Sequence, residues 1–320
     1  MVSSDTSPPL SQSWLERTPF IRDDAPFLQV QSVLYNTAFV DLARSVESLV
    51  RAAEISMSET GSVRGVTLAI GDSSPLRCLE AAEIAALQLV CEPYVFLTYS
   101  WFAANLGSAR GHNTLAEGTE ADFIFLTNPD IVVSPRTLDY LLEPFHKTAV
   151  GMTEAKQLPI EHPKTYDSVT GETSWASGAC SVIPAAVFRE LQGYDAESFF
   201  MYCDDVDLAW RVRQLGLRVV HQPAATAFHD KRVDNDLTMP PSQAEKYYSA
   251  EAALILAHKW SRSDLVANIL AEFDSHGEDY HRAAAAAFRE RRITGKLPTP
   301  VDSGHQVGQF VAGHYAEHRF

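Results

Sequence analysis

The spacing of apolar and polar positions changes period several times along the chain. Residues 28–35 read as a strand that closes at Asn36-Thr37. Phe39, Leu42, Val46, Leu49, Val50 and Ala53 then recur at helical spacing and form one apolar stripe. An apolar run over 66–70 ends in Gly71-Asp72-Ser73-Ser74-Pro75, which predicts a strand and its loop. Residues 76–90 read as helix and 94–99 as strand. A glycine-containing loop with a short helix follows, and 123–127 form a strand running into Asn128-Pro129-Asp130. Ser134-Pro135 marks a helix start, with Ser as cap and Pro at the first helical position. This alternation over the first 150 residues predicts an α/β fold: a mainly parallel sheet with helices on both faces. Ligands of such sheets bind beyond the carboxyl ends of the strands. Asn36, Asp72 and Asp130 each follow a predicted strand, so they are expected to converge on one crevice.

The second half is less regular. Residues 156–175 are polar and contain proline without clear periodicity, which predicts a hairpin or loop over the crevice. Strands are expected at 177–183, 217–221 and 226–228. Helices are expected at 185–191 and 206–215, stopped by Gly193 and Gly216. From Ser242 the chain turns helical, opening with a capping box between Ser242 and Glu245. The expected organisation is a polar leader over 1–26, an α/β domain over 27–235 and a C-terminal helical extension over 236–320.

Composition narrows the function. A net charge of −15 opposes broad contact with nucleic acid or an anionic membrane. It suits a site that collects carboxylates around a cation, although acidic surplus is more often solvated surface. Cys78, Cys91, Cys180 and Cys203 form no C-x-x-C pair, which fits a reducing compartment and no disulfide framework. The first 26 residues lack a basic-then-apolar signal, and the most apolar window, 84–102, is broken by Gln88, Glu92 and Pro93. The expected location is the cytoplasm. The chain has no G-x-G-x-x-G after its first strand, no Walker loop, no H-E-x-x-H and no G-x-S-x-G, so dehydrogenase, P-loop ATPase, zincin and serine hydrolase readings lose their usual support.

Three clusters carry candidate chemistry. Asn128-Pro129-Asp130 reads either as an ordinary turn or as a strand-end carboxylate that holds Mg2+ or Mn2+ against a diphosphate. Asp204, Asp205 and Asp207 stand at a predicted helix start, flanked by aromatics. They read either as carboxylates favouring the helix dipole or as a crowded set in which one becomes a general base. His229 is a structural histidine or, beside Asp130, a metal ligand.

Taken in order, these fragments resemble the family-two glycosyltransferases, in particular the rhamnosyltransferase-like branch that builds bacterial surface polysaccharides. The series is Tyr35-Asn36, Gly71-Asp72-Ser73-Ser74, the 105–113 segment (Asn105, Gly107, Gly111, Asn113), Asn128-Pro129-Asp130, Ser177-Gly178-Ala179, Gly193-Tyr194-Asp195, then 199–208 with Arg211, Gly216, Pro223 and His229. Each fragment alone is weak, and their order makes the resemblance specific. It implies a GT-A (Rossmann-like) fold and an inverting, metal-assisted glycosyltransferase. Asn36 and Asp72 would line the base pocket, with the Asp72 carboxylate on the pyrimidine N–H. Asn105, Gly107, Gly111 and Asn113 would let the backbone approach the nucleotide, and Asn128 would stand in the position of the first acid of D-x-D. Asp130 and His229 would hold the divalent cation (Mg2+ or Mn2+), and Asp205 would be the catalytic base. Asp204, where the family more often has Glu, would shape the acceptor side with Trp175, Ser177 and Gly178, and Arg211 would brace the acidic cluster. The implied donor is a dTDP- or UDP-sugar, with dTDP-rhamnose preferred. The implied acceptor is a glycan or lipid-linked saccharide, with peripheral contact at the inner face of the membrane and pairing of subunits through the C-terminal helices as further expectations. The competing readings are a non-catalytic nucleotide-sugar-binding scaffold and a sugar nucleotidyltransferase, the latter weakened by the missing glycine-rich first loop.

Overall fold

The computed structural model describes residues 20–21, 24–161, 164–229 and 241–316. Most of the leader expected over 1–26 lies outside the described residues. Its end belongs to the fold: Ile21 is buried, its N–H donates to Phe145 O (3.4 Å), and Phe20 meets the Phe145 ring edge-on.

Four parallel strands form the first half of the sheet. In spatial order they are β3 (Val95–Trp101), β2 (Gly65–Asp72), β1 (Phe27–Leu34) and β4 (Phe123–Thr127). The connections are α1 (Phe39–Ser58), α2 (Ala81–Cys91) and α3 (Gly107–Ala116). The predicted stripe of α1 is its buried face, with Leu42, Val46, Leu49, Ala52 and Ala53 against the sheet. β4 is fully buried, as its unbroken apolar run requires of a central parallel strand.

Beyond β4 the sheet continues as β8 (Cys180–Pro184), β6 (Val150–Leu158), β9 (Arg218–His229) and β5 (Ile131–Val133), while β7 (Glu172–Thr173) pairs with β9. β8 runs antiparallel to β4 and β6, and β9 runs parallel to β6. Three short helices flank this half: α4 (Thr137–Leu142), α5 (Ala185–Glu190) and α6 (Asp204–Gln214).

Several expectations need correction. The segment 76–80 is loop, because the Asp72 carboxylate captures the N–H groups of Ser74 and Cys78; helix starts only after Glu80, which forms a capping box with Glu83. Ser134-Pro135 does not open a helix. Ser134 Oγ bonds Thr137 Oγ1 (2.9 Å), and α4 begins at Thr137. The two short strands expected at 217–221 and 226–228 are one strand, β9, whose register against β6 jumps from Gln222 to Thr226, so that Pro223 sits in a bulge. Of the hairpin or loop expected over 156–175, the hairpin is present: Tyr166 bridges Thr173 antiparallel, and the segment also contains the end of β6 and all of β7.

The C-terminal segment supplies α7 (Gln243–Lys259), α8 (Ser263–Ser275) and α9 (Asp279–Ile293). The predicted capping box closes: Glu245 N donates to Ser242 Oγ (3.2 Å) and Ser242 N to Glu245 Oε2 (2.7 Å). These helices share a hydrophobic core with α6 and the sheet. Trp260 meets Trp210 edge-on at 5.1 Å, and Leu254, Ile255 and Phe288 are buried in the same cluster as Met152 and Ile183. No described helix is long and apolar enough to cross a membrane.

One buried carboxylate fastens the two parts. Asp207 is fully buried and accepts from Arg211 Nε (2.7 Å), Lys259 Nζ (2.8 Å) and Trp260 Nε1 (3.1 Å). Removing it leaves Arg211 without a carboxylate partner and Lys259 with Asp195 alone (2.7 Å). Asp207→Ala is expected to destabilise the fold by about 3–5 kcal/mol in urea unfolding, far more than a surface charge removal.

Candidate active site

The β4–β8 pairing places the site. Thr127 faces Cys180 at the carboxyl end of β4, so residues 128–130 leave the sheet beside the turn 177–179 that enters β8. Asn128 N donates to Ala179 O (3.1 Å), which ties the two turns together. Asn128-Pro129-Asp130 is a turn, with Ile131 N on Asn128 O (3.3 Å). Its last residue also faces a functional partner.

That partner is His229. Ile131 pairs with His229 in the β5–β9 ladder, and this register brings Asp130 Oδ2 to 3.3 Å from His229 Nε2. His229 Nδ1 lies 3.1 Å from Gln157 Oε1. A carbonyl oxygen there accepts the Nδ1 proton and leaves the Nε2 lone pair directed at Asp130, the orientation that metal-ligating histidines take from their outer partners. Asn128 Nδ2 stands 3.5 Å from the same Nε2. The donor set is one carboxylate oxygen and one imidazole nitrogen. It fits a divalent cation that draws its remaining ligands from phosphate and water, as Mg2+ and Mn2+ commonly do. Among the described residues no group of three or more His, Cys, Asp or Glu is arranged to hold a metal ion, so phosphate oxygens would be needed to complete the shell.

The acidic cluster lies on the other side of the 177–179 turn. Tyr202 and Cys203 both have positive φ (65° and 56°), a strained pair costing roughly 1–3 kcal/mol each. They turn the aromatic segment sharply into α6 and set Asp204 and Asp205 at its first turn. The three acids divide their roles. Asp207 is the fold clamp described above. Asp205 is partly exposed; its Oδ2 accepts from Gly178 N (3.0 Å) and its Oδ1 from Val206 N (2.8 Å). Asp204 is buried, and burial together with the neighbouring Asp205 charge pushes its carboxyl up to about 7, against an opposing hydrogen bond from Ser108.

Other expected residues take different positions. Ser177 and Gly178 are at the site through their backbone: Ser177 N donates to Glu154 Oε1 (2.9 Å) and Gly178 N to Asp205. Trp175 is buried under the Lys164 ammonium (3.9 Å) and the Tyr315 ring, so it supports the turn from below and offers no open acceptor face. Arg211 braces only the third acid, Asp207, and spends Nη1 on the carbonyls of Leu191 and Gly193.

The base-pocket expectations are corrected more strongly. Asn36 is exposed at the end of β1, with N–H on Ser74 Oγ (2.8 Å). Asp72 is fully buried, and its carboxylate already accepts from Ser74 N (2.9 Å), Cys78 N (2.9 Å) and Tyr99 Oη (2.5 Å). These bonds shape the loop that follows β2. Asn113 gives both ends of its amide to Tyr194, Nδ2 to O and Oδ1 to N (2.8 Å each). Gly107 is required by its positive φ and by Phe200 O, which would lie 2.4 Å from a Cβ; Gly111 is required by Val33. These two glycines let α3 pack closely. Asn105 is exposed and accepts from Gly107 N (3.1 Å) at the start of that helix.

No family model matches the chain. In sequence it is similar to an N-acetylglucosaminyl-diphospho-decaprenol L-rhamnosyltransferase of Mycobacterium tuberculosis, 39% identical over 164 residues, covering 40% of this chain and 52% of the relative. It is also similar to rhamnosyltransferase WbbL of Escherichia coli K12, 32% identical over 71 residues, covering 22% and 26%. The chain therefore spans about half the length of the first of these curated relatives and less of the second. In structure it resembles the mannosyltransferase PcManGT from Pyrobaculum calidifontis in complex with GDP-Man and Mn2+, with TM-score 0.55, 14% identity and coverage of 88% of this chain and 81% of that one. GalNAc-T7 with UDP, GalNAc and Mn2+ matches at TM-score 0.61 and 13% identity, covering 86% and 56%. At such identities the likeness speaks to fold: the chain has the mostly parallel sheet with flanking helices of the GT-A glycosyltransferases.

Asp204 makes the stability of this region depend on pH in a defined sense. Its native carboxyl keeps a proton up to about 7, whereas the unfolded one releases it near 3.8. Between those values the native state binds more protons, so stability falls as pH rises through the window. Urea unfolding at pH 5 and pH 8 is expected to show Asp204→Asn gaining on wild type at the higher pH, with the advantage shrinking towards pH 4.

Proposed function

We propose that this protein is an inverting, metal-assisted glycosyltransferase that moves a deoxyhexose, rhamnose by preference, from a dTDP- or UDP-sugar to a hydroxyl of a lipid-linked saccharide. The observation that carries the reading is the Asp130–His229 pair, 3.3 Å apart and joined through Asn128 and the 177–179 turn to the partly exposed Asp205. The similarity to two rhamnosyltransferases supports the sugar. The decaprenol-linked acceptor named for the mycobacterial relative supports a lipid carrier here.

Each role follows from the local chemistry. Asp205 stands as general base: two backbone N–H groups fix its carboxylate without neutralising it, and it takes the acceptor O–H proton. The acceptor oxygen attacks the anomeric carbon from the face opposite the diphosphate. The new C–O bond forms as the bond to the diphosphate breaks, and the electron pair leaves on phosphate. Asp130 and His229 Nε2 are the residues that would hold the cation, which when bound offsets charge developing on the leaving diphosphate. Asn36, Asn105 and Asn128 are the exposed or site-facing amides left for nucleotide contacts once Asp72 and Asn113 are assigned to structure. Asp204, whose carboxyl burial and the Asp205 charge push up to about 7, is only partly ionised at neutral pH and so lessens the negative charge on the acceptor side.

The reading extends to the whole chain: a glycosyltransferase domain over 27–235, a helical extension over 236–320 whose helices stiffen α6 and offer a face for subunit pairing, and action on a polyprenol-linked acceptor at the cytoplasmic face of the membrane.

Two measurements test it. Asp205→Asn is expected to lower transfer roughly 10²–10⁴-fold, the usual contribution of a positioned base, while nucleotide-sugar binding persists. Unchanged transfer would overturn Asp205 as the base; a wild type that binds nucleotide sugar but transfers from no donor would leave the scaffold reading, and pyrophosphate release from a nucleoside triphosphate with a sugar phosphate would leave the nucleotidyltransferase reading. Separately, Mn2+ with UDP or dTDP is expected to raise the melting temperature beyond the sum of the two alone, and Asp130→Ala to abolish that synergy.

A further inference from the structure

A second charged cluster, behind the 177–179 turn, plays no part in the chemistry above. Glu154 on β6 and Lys164 form an ion pair whose side chains are each 2% exposed. His221 on β9, equally buried, places Nδ1 3.6 Å from the same Glu154 oxygen and Nε2 3.4 Å from Glu161 Oε1. Burial alone would raise the Glu154 carboxyl, but Lys164 and His221 outweigh it and hold it below the ordinary range. The other Glu154 oxygen, Oε1, accepts from Ser177 N (2.9 Å). Lys164 Nζ also donates to Trp175 O (3.3 Å) and lies over the Trp175 ring.

Three successive N–H groups of the turn are thus fixed to different acceptors: Ser177 to Glu154, Gly178 to Asp205, and Ala179 to Ser177 Oγ (3.2 Å). Glu154 and Asp205 are held by adjacent peptide groups. A buried ion pair adds little stability over apolar side chains of the same shape. What this one supplies is direction, since only an acceptor at the Glu154 position fixes the Ser177 amide and, through the following residue, the Gly178 N–H.

We propose that Glu154, held in place by Lys164, is a positioning residue for Asp205, acting through the Ser177-Gly178 peptide. The inference rests on Asp205 being the base.

The test compares two double variants that both remove the buried charges. Glu154→Gln with Lys164→Met retains a carbonyl oxygen for Ser177 N; Glu154→Leu with Lys164→Met does not. Amide hydrogen exchange at residues 177–179, donor affinity, and kcat at saturating donor are measured on each. The Leu variant is expected to exchange about tenfold faster at the turn and to transfer about tenfold more slowly than the Gln variant, the worth of one backbone hydrogen bond, with equal donor affinity in both. Equal kcat in the two, or a kcat difference without an exchange difference, overturns the proposal. If the Leu variant fails to fold, Glu154→Met with Lys164→Met serves the same comparison with a more adaptable side chain. A wild-type protein that transfers from no donor, or whose transfer is unaffected by Asp205→Asn, overturns the catalytic reading itself and the positioning role with it. Active, Asp205-dependent wild type with indistinguishable double variants overturns the positioning role alone.

Discussion

The antiparallel pairing of β8 against β4 decides where everything else in the site falls. A fully parallel sheet would send the chain away from the carboxyl end of β4 into another helix. Here Cys180 pairs with Thr127, so the chain entering β8 passes directly beside the turn leaving β4. The Asn128 N–H to Ala179 O bond closes that junction. On one side the β5–β9 register delivers His229 to Asp130, and on the other the Gly178 N–H holds Asp205. The Asp130–His229 pair and the turn that holds Asp205 are thereby set by backbone register.

Buried charge does most of the remaining fixing. Asp207 gathers Arg211, Lys259 and Trp260 and locks α6 to the C-terminal helices. Glu154 gathers Lys164 and Ser177 N behind the site. Each carboxylate is met by two or more donors away from water, and removing either acid alone would leave a buried cation short of a carboxylate partner. The helical extension is therefore part of what orients the first turn of α6, where Asp204 and Asp205 stand. Strain enters at the same place: the left-handed Tyr202 and Cys203 are tolerated because α6 is clamped from its far side.

The sequence made the parallel half of the fold readable because each strand there is a short apolar run closed by turn residues, and α1 carries a clear stripe. It also placed Asp130, His229 and Asp205 at the ends of elements. The antiparallel half was less legible. β6 mixes Thr153, Glu154, Lys156 and Gln157 into a strand buried on both faces, so polar residues that serve as anchors looked like loop. The same blindness hid Gln157 behind His229 and Glu154 behind Ser177. Nucleotide contacts for Asp72, Asn113, Gly107 and Gly111 are implied by the family resemblance and by no pattern in the residues themselves. Their partners, Cys78 and Tyr99, Tyr194, Phe200 and Val33, lie elsewhere in the fold, and no local pattern announces them. The acidic cluster shows the limit most clearly: three identical side chains within four positions become a clamp, a proton holder and a candidate base according to what packs against each.

The most direct test of the central claim is to locate the cation. Crystals grown with Mn2+ and UDP or dTDP, with data collected for manganese anomalous scattering, would show where it binds. The account predicts a single strong peak about 2.1 Å from both an Asp130 carboxylate oxygen and His229 Nε2, with diphosphate oxygens completing the shell and Asp205 facing the same cleft. A peak bound elsewhere, with Asp130 and His229 still paired to each other and no nucleotide beside them, would contradict it.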